Sequence, residues 1–168
     1  MKIFKIVLFL LSSLILGGCS SSDVKLTTFY VASMKGVHTG RAYKSVVMPF
    51  TGTRLIMNTQ PIFYTGDISK AQVAEVTMPT GEKIQGFNFI LNENGMRKLT
   101  NATASNIGSY IVMMYDGKPV GLRIIDEVMT SGSIFVCSEY NNSKKTLHDF
   151  VEDINESISK VSKIKEDE

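Results

Sequence analysis

The chain has 168 residues, of which 43% are apolar and 20% charged, with thirteen glycines, four prolines and two cysteines. This length suits one domain or two small ones, and the composition argues against a disordered chain. Two cysteines are too few for a disulfide-stapled scaffold or a cysteine-rich zinc site. Without Lys2 and Lys5, 16 basic residues balance 16 acidic ones, so the charge gives no indication of nucleic-acid binding.

Residues 1–18 have the pattern of a signal peptide. Lys2 and Lys5 precede a short apolar run, and this run is shorter than the roughly 20 apolar residues of a membrane-spanning helix. The segment ends in Leu16-Gly17-Gly18-Cys19, which resembles the lipobox of bacterial lipoproteins. The resemblance implies cleavage before Cys19 and attachment of fatty acyl chains to this residue. The alternatives are an uncleaved anchor and an ordinary signal peptide with an incidental cysteine.

The lipobox resemblance also predicts where the chain resides and how it is organised. Ser20 follows the cysteine at a position where, in the lipoproteins of enteric bacteria, aspartate is typical of inner-membrane retention. In a Gram-negative host the resemblance therefore favours the periplasmic side of the outer membrane. Residues 19–25 are interpreted as a tether and residues 26–168 as a single domain, with the membrane as a partner through the lipid.

The residue pattern in the first third of the domain predicts three strands. Thr27–Ala32 alternates apolar and polar residues, which indicates a strand. Val46–Met48 and Thr53–Met57 are expected to pair around the break at Pro49–Gly52. Between these strands the glycine-punctuated segment Lys35–Lys44 is predicted to be a loop.

Two strands and one turn are predicted in the next segment. Asp67 or Ser69 is expected to cap a helical turn through Lys70 and Ala71. Gln72–Met78 alternates as a strand, and Ile84–Leu91 is a second strand after a turn. Apolar residues share one face in each of these strands: Ala74, Val76 and Met78 in the first, and Phe87, Phe89 and Leu91 in the second.

A helix, three strands and a second helix follow. Asn92 is a good N-cap, and apolar spacing predicts one helix face ending before Gly108. Residues 143–164 form a strongly amphipathic pattern, with acidic residues early and lysines late, as the helix dipole favours. The face of the first helix comprises Met96, Leu99, Thr103 and Ile107. The three strands are Ser109–Tyr115, Pro119–Ile125 and Ser133–Ser138. Asp116-Gly117, between the first two of these strands, is typical of a hairpin turn.

This element order predicts an α+β fold, a mainly antiparallel sheet with two helices packed on it. Over residues 60–140 the order and spacing resemble the head subdomain of the first periplasmic domain of SecD, an accessory protein of the bacterial secretion channel. The resemblance is carried by Thr65–Val73, by Phe87–Gly95, by Thr103–Gly108, by Ile111–Lys118 and by Ile125, Val128 and Ser131–Ile134.

The departures from SecD limit what this resemblance implies. SecD has six membrane spans that use the proton gradient, whereas no second hydrophobic span follows residue 18 here. Ser131 precedes Gly132, where the SecD family often has two glycines. The resemblance therefore implies a fold and an association with extended or unfolded polypeptide outside the inner membrane, and no proton-relay residue is transferred.

Residues typical of catalysis do not form a recognisable set. Cys137 is interpreted as a small apolar side chain in a strand rather than a reactive thiol. His38 and His148 lack metal-binding spacing, and the adjacent carboxyls Asp126 and Glu127 are expected to point to opposite faces. Because no nucleophile-elbow motif occurs either, we predict no enzyme, no metal and no cofactor.

One basic and aromatic cluster is a candidate binding site. Within the predicted loop it could contact an anionic head group or an acidic partner segment, although an ordinary solvated loop is the favoured explanation. The favoured function is a non-enzymatic lipoprotein that binds a polypeptide through this loop or the sheet edge. The alternatives are an immunity-type lipoprotein of a mobile element that blocks an envelope receptor or channel, and an unrecognised enzyme. The cluster comprises Lys35, His38, Arg41, Tyr43 and Lys44.

Overall fold

The computed structural model describes residues 24–34, 42–140 and 146–166. Within these ranges the chain forms nine strands, two helices and a short 3₁₀ turn. The strands are β1 (Thr27–Ser33), β2 (Tyr43–Val47), β3 (Arg54–Asn58), β4 (Phe63–Tyr64), β5 (Ile68–Thr77), β6 (Lys83–Leu91), β7 (Tyr110–Tyr115), β8 (Lys118–Ile124) and β9 (Ser133–Ser138). The helices are α1 (Glu93–Ser105) and α2 (Leu147–Glu166), and the 3₁₀ turn is Thr65–Asp67.

All nine strands belong to one sheet, and every strand pair in it is antiparallel. The strand order is β2-β3-β1-β7-β8-β9-β6-β5, with β4 pairing beside β3 on β1. Strands β2 and β5 are therefore the two edges among the described strands. The arrangement confirms the α+β class predicted from the sequence.

The larger hydrophobic core lies between one face of the sheet and the two helices. Phe29, Phe87 and Phe89 from the strands are completely buried, and Phe150 of α2 packs against Phe87 with ring centroids 5.4 Å apart. The amphipathic pattern predicted within residues 143–164 is confirmed in α2, whose buried apolar side chains are Phe150, Val151, Ile154 and Ile158. In α1 only Leu99 and Thr103 of the predicted face are buried.

A smaller core lies on the opposite face of the sheet. Successive residues of β7 belong to different cores, with Ile111 and Met113 in the larger and Val112 in the smaller. The hairpin of β2 and β3 covers this opposite face through Met48 and Leu55, both fully buried. Strand β7 is therefore a central strand buried on both faces, as the nearly continuous apolar run in Ser109–Tyr115 indicates.

Two local predictions were wrong. The helical turn lies at Thr65–Asp67 and β5 begins at Ile68, so Lys70 and Ala71 are in a strand. A register irregularity between Ile68 and Lys70 places Ala71 on the covered face. Ala74 and Val76 share one face as predicted, but this is not the face that the helices cover, and Val76 and Met78 are 40% and 41% exposed. Ile107 lies beyond the end of α1 and is 60% exposed.

The hairpin turn between β7 and β8 follows the sequence prediction. Asp116 and Gly117 have φ values of 49° and 74°, the left-handed pair that a two-residue hairpin turn requires. Asp116 N–H donates to Leu26 O at 2.9 Å. This bond holds the chain preceding β1 against the hairpin.

Candidate functional site

The motif that carries the SecD resemblance forms a structural junction. The Asp67 carboxylate is 1% exposed and accepts from Lys98 Nζ at 2.8 Å and 3.0 Å and from Asn94 Nδ2 at 2.7 Å. It also accepts from Tyr64 N–H at 3.2 Å. Because these bonds stay within the protein, Asp67 is a poor candidate for contact with a partner.

Two glycines allow the segments of this junction to approach closely. A Cβ at Gly95 would meet Asp67 O, and one at Gly66 would lie 2.8 Å from Lys165 Nζ. Gly66 O accepts from Asn92 Nδ2 at 3.1 Å and from Lys165 Nζ at 2.7 Å. Asn92 is the N-cap of α1 and accepts from Gly95 N–H at 3.0 Å, which confirms the predicted cap. The motif thus fixes the start of α1 and the end of α2 against the sheet.

The structure divides the predicted basic and aromatic cluster. Lys35, His38 and Arg41 lie outside the described residues, and so does Cys19. Tyr43 and Lys44 are not in a loop: they form the start of edge strand β2, paired with Asn58 and Met57. Adjacent strand residues point to opposite faces, so Tyr43 and Lys44 cannot contact the same ligand group.

Tyr43 instead lines a polar groove of about 350 Å³. Ser33, Ile56 and Asn58 also line it, together with Asn106 and Ser109 beyond the end of α1. The groove contains no charged side chain among the described residues. It offers uncharged hydrogen-bonding groups, which do not indicate one particular class of ligand.

The other edge of the sheet, β5, is closed at one residue by a side chain of α2. Asn155 Oδ1 accepts from Ala71 N–H at 2.9 Å, and Asn155 Nδ2 donates to Ala71 O at 2.9 Å. The amide thereby replaces a neighbouring strand at this single position. This pair also shows which side of β5 the backbone groups of Ala71 face.

Beyond Ala71 the outer side of β5 has no neighbouring strand among those described. The N–H and C=O groups of alternate residues in an antiparallel strand point to the same side. Since Ala71 directs both groups away from β6, the same holds for Val73, Glu75 and Thr77, which oppose Phe87, Gln85 and Lys83 of β6. Three residues therefore present their backbone donors and acceptors outward in the spacing of a strand.

The sheet face that adjoins this edge, away from the helices, is partly exposed and carries both apolar and polar side chains. Lys70, Gln72, Ala74 and Val76 of β5 lie on it opposite Ile90, Asn88, Gly86 and Ile84 of β6. Val76 of β5 and Ile90 of β6 are 40% and 39% exposed. Gly86 lies between them, and a Cβ there would meet Val136 O and the ring of Phe135, so this ring lies over the glycine. Alternate side chains of a strand added to β5 would continue this surface.

One ion pair marks the far end of the same edge. Glu75 Oε1 and Lys83 Nζ are 2.8 Å apart. Their hydrogen bond and mutual attraction lower the pKa of Glu75 and raise the pKa of Lys83. Both side chains are well exposed, so the pair contributes little to stability.

The remaining predicted chemical residues do not come together. Cys137 is half-buried in β9, and burial raises the pKa of its thiol. Asp126 pairs with Arg123 at 2.8 Å, and His148 is exposed on α2. Across residues 24–34, 42–140 and 146–166, no three His, Cys, Asp or Glu side chains cluster as a metal site. In the same ranges, no helix combines the length and apolar character needed to cross a membrane.

Solved structures of SecDF share this fold. One, of a membrane component SecDF that enhances protein export, superposes with a TM-score of 0.50 and 14% identity, covering 85% of this chain and 70% of that chain. Another, of SecDF in a super-membrane-facing form, has a TM-score of 0.50 and 13% identity, covering 79% of this chain and 18% of that chain. No family model and no curated protein matches the chain.

These comparisons confirm a SecD-like α+β fold. The likeness extends well beyond residues 60–140, the range that carried the sequence resemblance. At this level of identity it shows the fold and not the activity. The lipobox interpretation of residues 1–19 stays a prediction.

Sequence reasoning named the sheet edge as a candidate but did not locate it. We call the two hydrogen bonds between the Asn155 side chain and the Ala71 backbone the Asn155 clamp. Asn155 lies 84 positions along the chain from Ala71, so no local pattern indicates this contact. The polar Asn155 between the apolar Ile154 and Ile158 of α2 was the available hint.

Proposed function

We propose that this protein is a lipid-anchored, non-enzymatic binding module of the bacterial cell envelope. Its ligand is an extended polypeptide segment that adds as a strand along β5. The observation that carries the proposal is the outward-facing backbone of Val73, Glu75 and Thr77, which follows from the Asn155 pair at Ala71.

The chemistry of this edge suits an unfolded chain better than a small molecule. Backbone N–H and C=O groups repeating along a strand bind another backbone with little regard to its sequence. The partly exposed Val76 favours an apolar ligand residue beside it, and the polar Gln72 farther along the same face tolerates a polar one. This combination suits segments that are normally buried in folded proteins.

The likeness to SecDF also supports the proposal that the ligand is a polypeptide. That protein is a membrane component that enhances protein export. A shared fold does not transfer the activity, but it is compatible with a domain that meets polypeptide in the envelope.

Lipid attachment at Cys19 would place the domain at a bilayer surface. Acyl chains contribute about 0.8 kcal/mol per buried methylene, and two or more chains give stable anchoring. We expect Cys19→Ser to abolish labelling by radioactive palmitate and to leave the precursor uncleaved. Ser20→Ala is the matched control and should label normally. Unchanged labelling of Cys19→Ser would contradict the anchor without bearing on the β5 edge.

The edge is tested by a proline that removes one outward donor. Glu75→Pro deletes an N–H that does not bond to β6, and proline is tolerated in edge strands. Glu75→Ala is the matched control, because it removes the same ion pair with Lys83 and keeps the N–H. The probe is fluorescently labelled, reduced and carboxymethylated α-lactalbumin, with the native folded form for comparison.

We expect the unfolded probe to bind and the folded one not to. Fluorescence anisotropy should show at least tenfold weaker binding for Glu75→Pro and unchanged binding for Glu75→Ala. Circular dichroism checks that both variants are folded. Equal binding of the two variants, or no binding of the unfolded probe to the wild-type protein, would overturn the proposal.

A further inference from the structure

The outward backbone of β5 can in principle pair with the β5 strand of a second copy of this chain. An exposed strand edge is a template for any other strand, and a symmetric dimer brings the same surface of two copies together. Val73, Glu75 and Thr77 present their N–H and C=O groups outward. Whether the second copy competes with a foreign polypeptide depends on the side chains that such pairing brings together.

Symmetry limits how two β5 strands can pair. A two-fold axis perpendicular to the sheet makes the two strands antiparallel, and the outward residues of one strand then bond to the outward residues of the other. One register uses all three outward residues of both copies. In this register Val73 faces Thr77 of the second copy, and Glu75 faces Glu75 of the second copy.

A shift of the second strand towards the start of β5 is blocked by α2. This shift would bring Thr77 of the second copy opposite Ala71. The N–H and C=O of Ala71 are already bonded to the Asn155 side chain, both at 2.9 Å. The Asn155 clamp therefore closes the register in which Glu75 would face Val73.

A shift in the other direction shortens the paired segment. It would bring Val73 opposite Pro79 of the second copy, which has no N–H to donate and follows the end of β5 at Thr77. The chain turns there, and Gly81 N–H donates to Met78 O at 2.8 Å. Only two outward residues of each copy would remain paired, so the register that opposes Glu75 to itself is the longest.

The longest register brings two carboxylates together. Residues directly opposite in an antiparallel pair have Cβ atoms about 5 Å apart, and like charges there are destabilising. Glu75 Oε1 is bonded to Lys83 Nζ at 2.8 Å. Lys83 belongs to β6, on the side of Glu75 away from the second copy. Each ion pair would therefore present its negative end to the other, and pairing would remove water from a carboxylate side chain that is 40% exposed.

We propose that Glu75 excludes a second copy of this chain from the β5 edge, with the Asn155 clamp closing the register in which this exclusion would fail. The inference rests on the proposed function, because it concerns the partner of the same open edge. A foreign strand need not place an acidic residue opposite Glu75. The edge therefore stays open to other polypeptides even where the protein itself is concentrated.

Charge-swapped proteins test this exclusion without any foreign ligand. Sedimentation velocity in a non-ionic detergent is measured on full-length wild-type protein, on Glu75→Lys and on their equimolar mixture. We expect each protein alone to be monomeric and the mixture to associate at least fivefold more tightly, because opposite charges then face each other. Glu75→Thr, which removes the charge, should self-associate. If the mixture and Glu75→Thr stay as monomeric as the wild-type protein, or if the wild-type protein associates as tightly as they do, the proposal is overturned.

Two further variants assign the contact to β5. Glu82 is exposed in the turn after β5 and lies outside the paired segment, so a mixture of Glu82→Lys with wild-type protein should stay monomeric. Thr77→Pro, added to Glu75→Thr, removes one outward N–H and should weaken self-association at least fivefold. Association of the Glu82→Lys mixture, or association that survives Thr77→Pro, would place the contact elsewhere and refute the role of Glu75.

This test and the test of polypeptide binding can fail separately. If the mixture associates but unfolded α-lactalbumin does not bind, the proposed function is wrong and the exclusion by Glu75 stands. If the unfolded probe binds but neither the mixture nor Glu75→Thr associates, the proposed function stands and the exclusion by Glu75 is wrong.

Discussion

Tyr115 shows how one side chain can be well packed and still chemically unsatisfied. Its ring belongs to the larger core, yet its hydroxyl has no partner among the described residues. Burial, followed by the nearby carboxylates Asp153 and Asp116, raises the pKa of Tyr115 to about 12. The group is therefore neutral in the folded protein at a pH where an unfolded tyrosine ionises.

This difference predicts a loss of stability at alkaline pH. The folded state keeps a proton that the unfolded state releases above about pH 10, so the free energy of unfolding falls as pH rises towards 12. The shift of Tyr115 accounts for up to about 3 kcal/mol of this fall. Urea denaturation at pH 8, 10 and 11.5 measures it.

The matched variants make the source of this pH dependence identifiable. Tyr115→Phe should flatten the decrease between pH 10 and 12, whereas Tyr110→Phe should keep it. At pH 8, Tyr115→Phe should be as stable as the wild-type protein or more so, because it loses only an unpaired hydroxyl. Identical pH profiles for Tyr115→Phe and the wild-type protein would contradict the environment assigned to Tyr115.

At the scale of elements, α2 both covers the core and closes part of the β5 edge. Asn155→Ala would leave the N–H and C=O of Ala71 without the two bonds that the amide supplies. We expect a loss of about 1–3 kcal/mol in the free energy of unfolding. We also expect concentration-dependent self-association, since the open edge becomes longer.

Sedimentation velocity and urea denaturation measure these two effects. Ser162→Ala is the control, because the Ser162 hydroxyl donates only within α2, to Ile158 O at 3.0 Å. A monomeric Asn155→Ala protein with wild-type stability would show that the clamp is dispensable.

The packing of α2 is tested at Phe150. This residue is 3% exposed and contacts Phe87, Tyr115 and Tyr140. Phe150→Ala should reduce the free energy of unfolding by about 3–5 kcal/mol, through lost apolar burial and the cavity left behind. In the control Ile164→Ala, a side chain that is 51% exposed is shortened, and the loss should be below about 1 kcal/mol. Similar melting curves for the two variants would mean that α2 does not pack as described.

The same elements show what the sequence can and cannot predict. Periodicity located α2 and the buried β7 because each has a pattern that its own residues determine. It misplaced the start of β5, which begins at Ile68, whereas a helical turn was predicted through Lys70 and Ala71. The irregularity between Ile68 and Lys70 lets both Ile68 and Ala71 lie on the covered face, and no local residue pattern marks such a single-residue shift. The Asn155–Ala71 pair and the burial of the Tyr115 hydroxyl depend on contacts between distant segments, so periodicity alone does not reveal them.

At the scale of the molecule, one sheet supports two hydrophobic cores on opposite faces. A buried carboxylate connects the hairpin over the smaller core to the rest of the sheet. Glu139 follows β9 and is 4% exposed. Its Oε2 accepts from Phe50 N–H at 3.0 Å and from Thr51 N–H at 2.9 Å, in the turn between β2 and β3. The hairpin that covers the smaller core is thereby held to the end of a strand in the centre of the sheet.

This arrangement predicts that the hairpin can open without global unfolding. Hydrogen bonds to a charged acceptor contribute about 1.5–3 kcal/mol each. When the turn is released, its two N–H groups bond to water instead, which offsets much of the free energy lost with the two bonds. Glu139→Ala should therefore lower the protection of β2 and β3 amides from hydrogen exchange by at least tenfold. Protection in β6 and α2, which contribute to the larger core, should change much less. Exchange measured by mass spectrometry on peptides from both regions tests this, with exposed Glu127→Ala as the control. If protection fell equally in all elements, the two cores would form one cooperative unit and the hairpin would not open on its own.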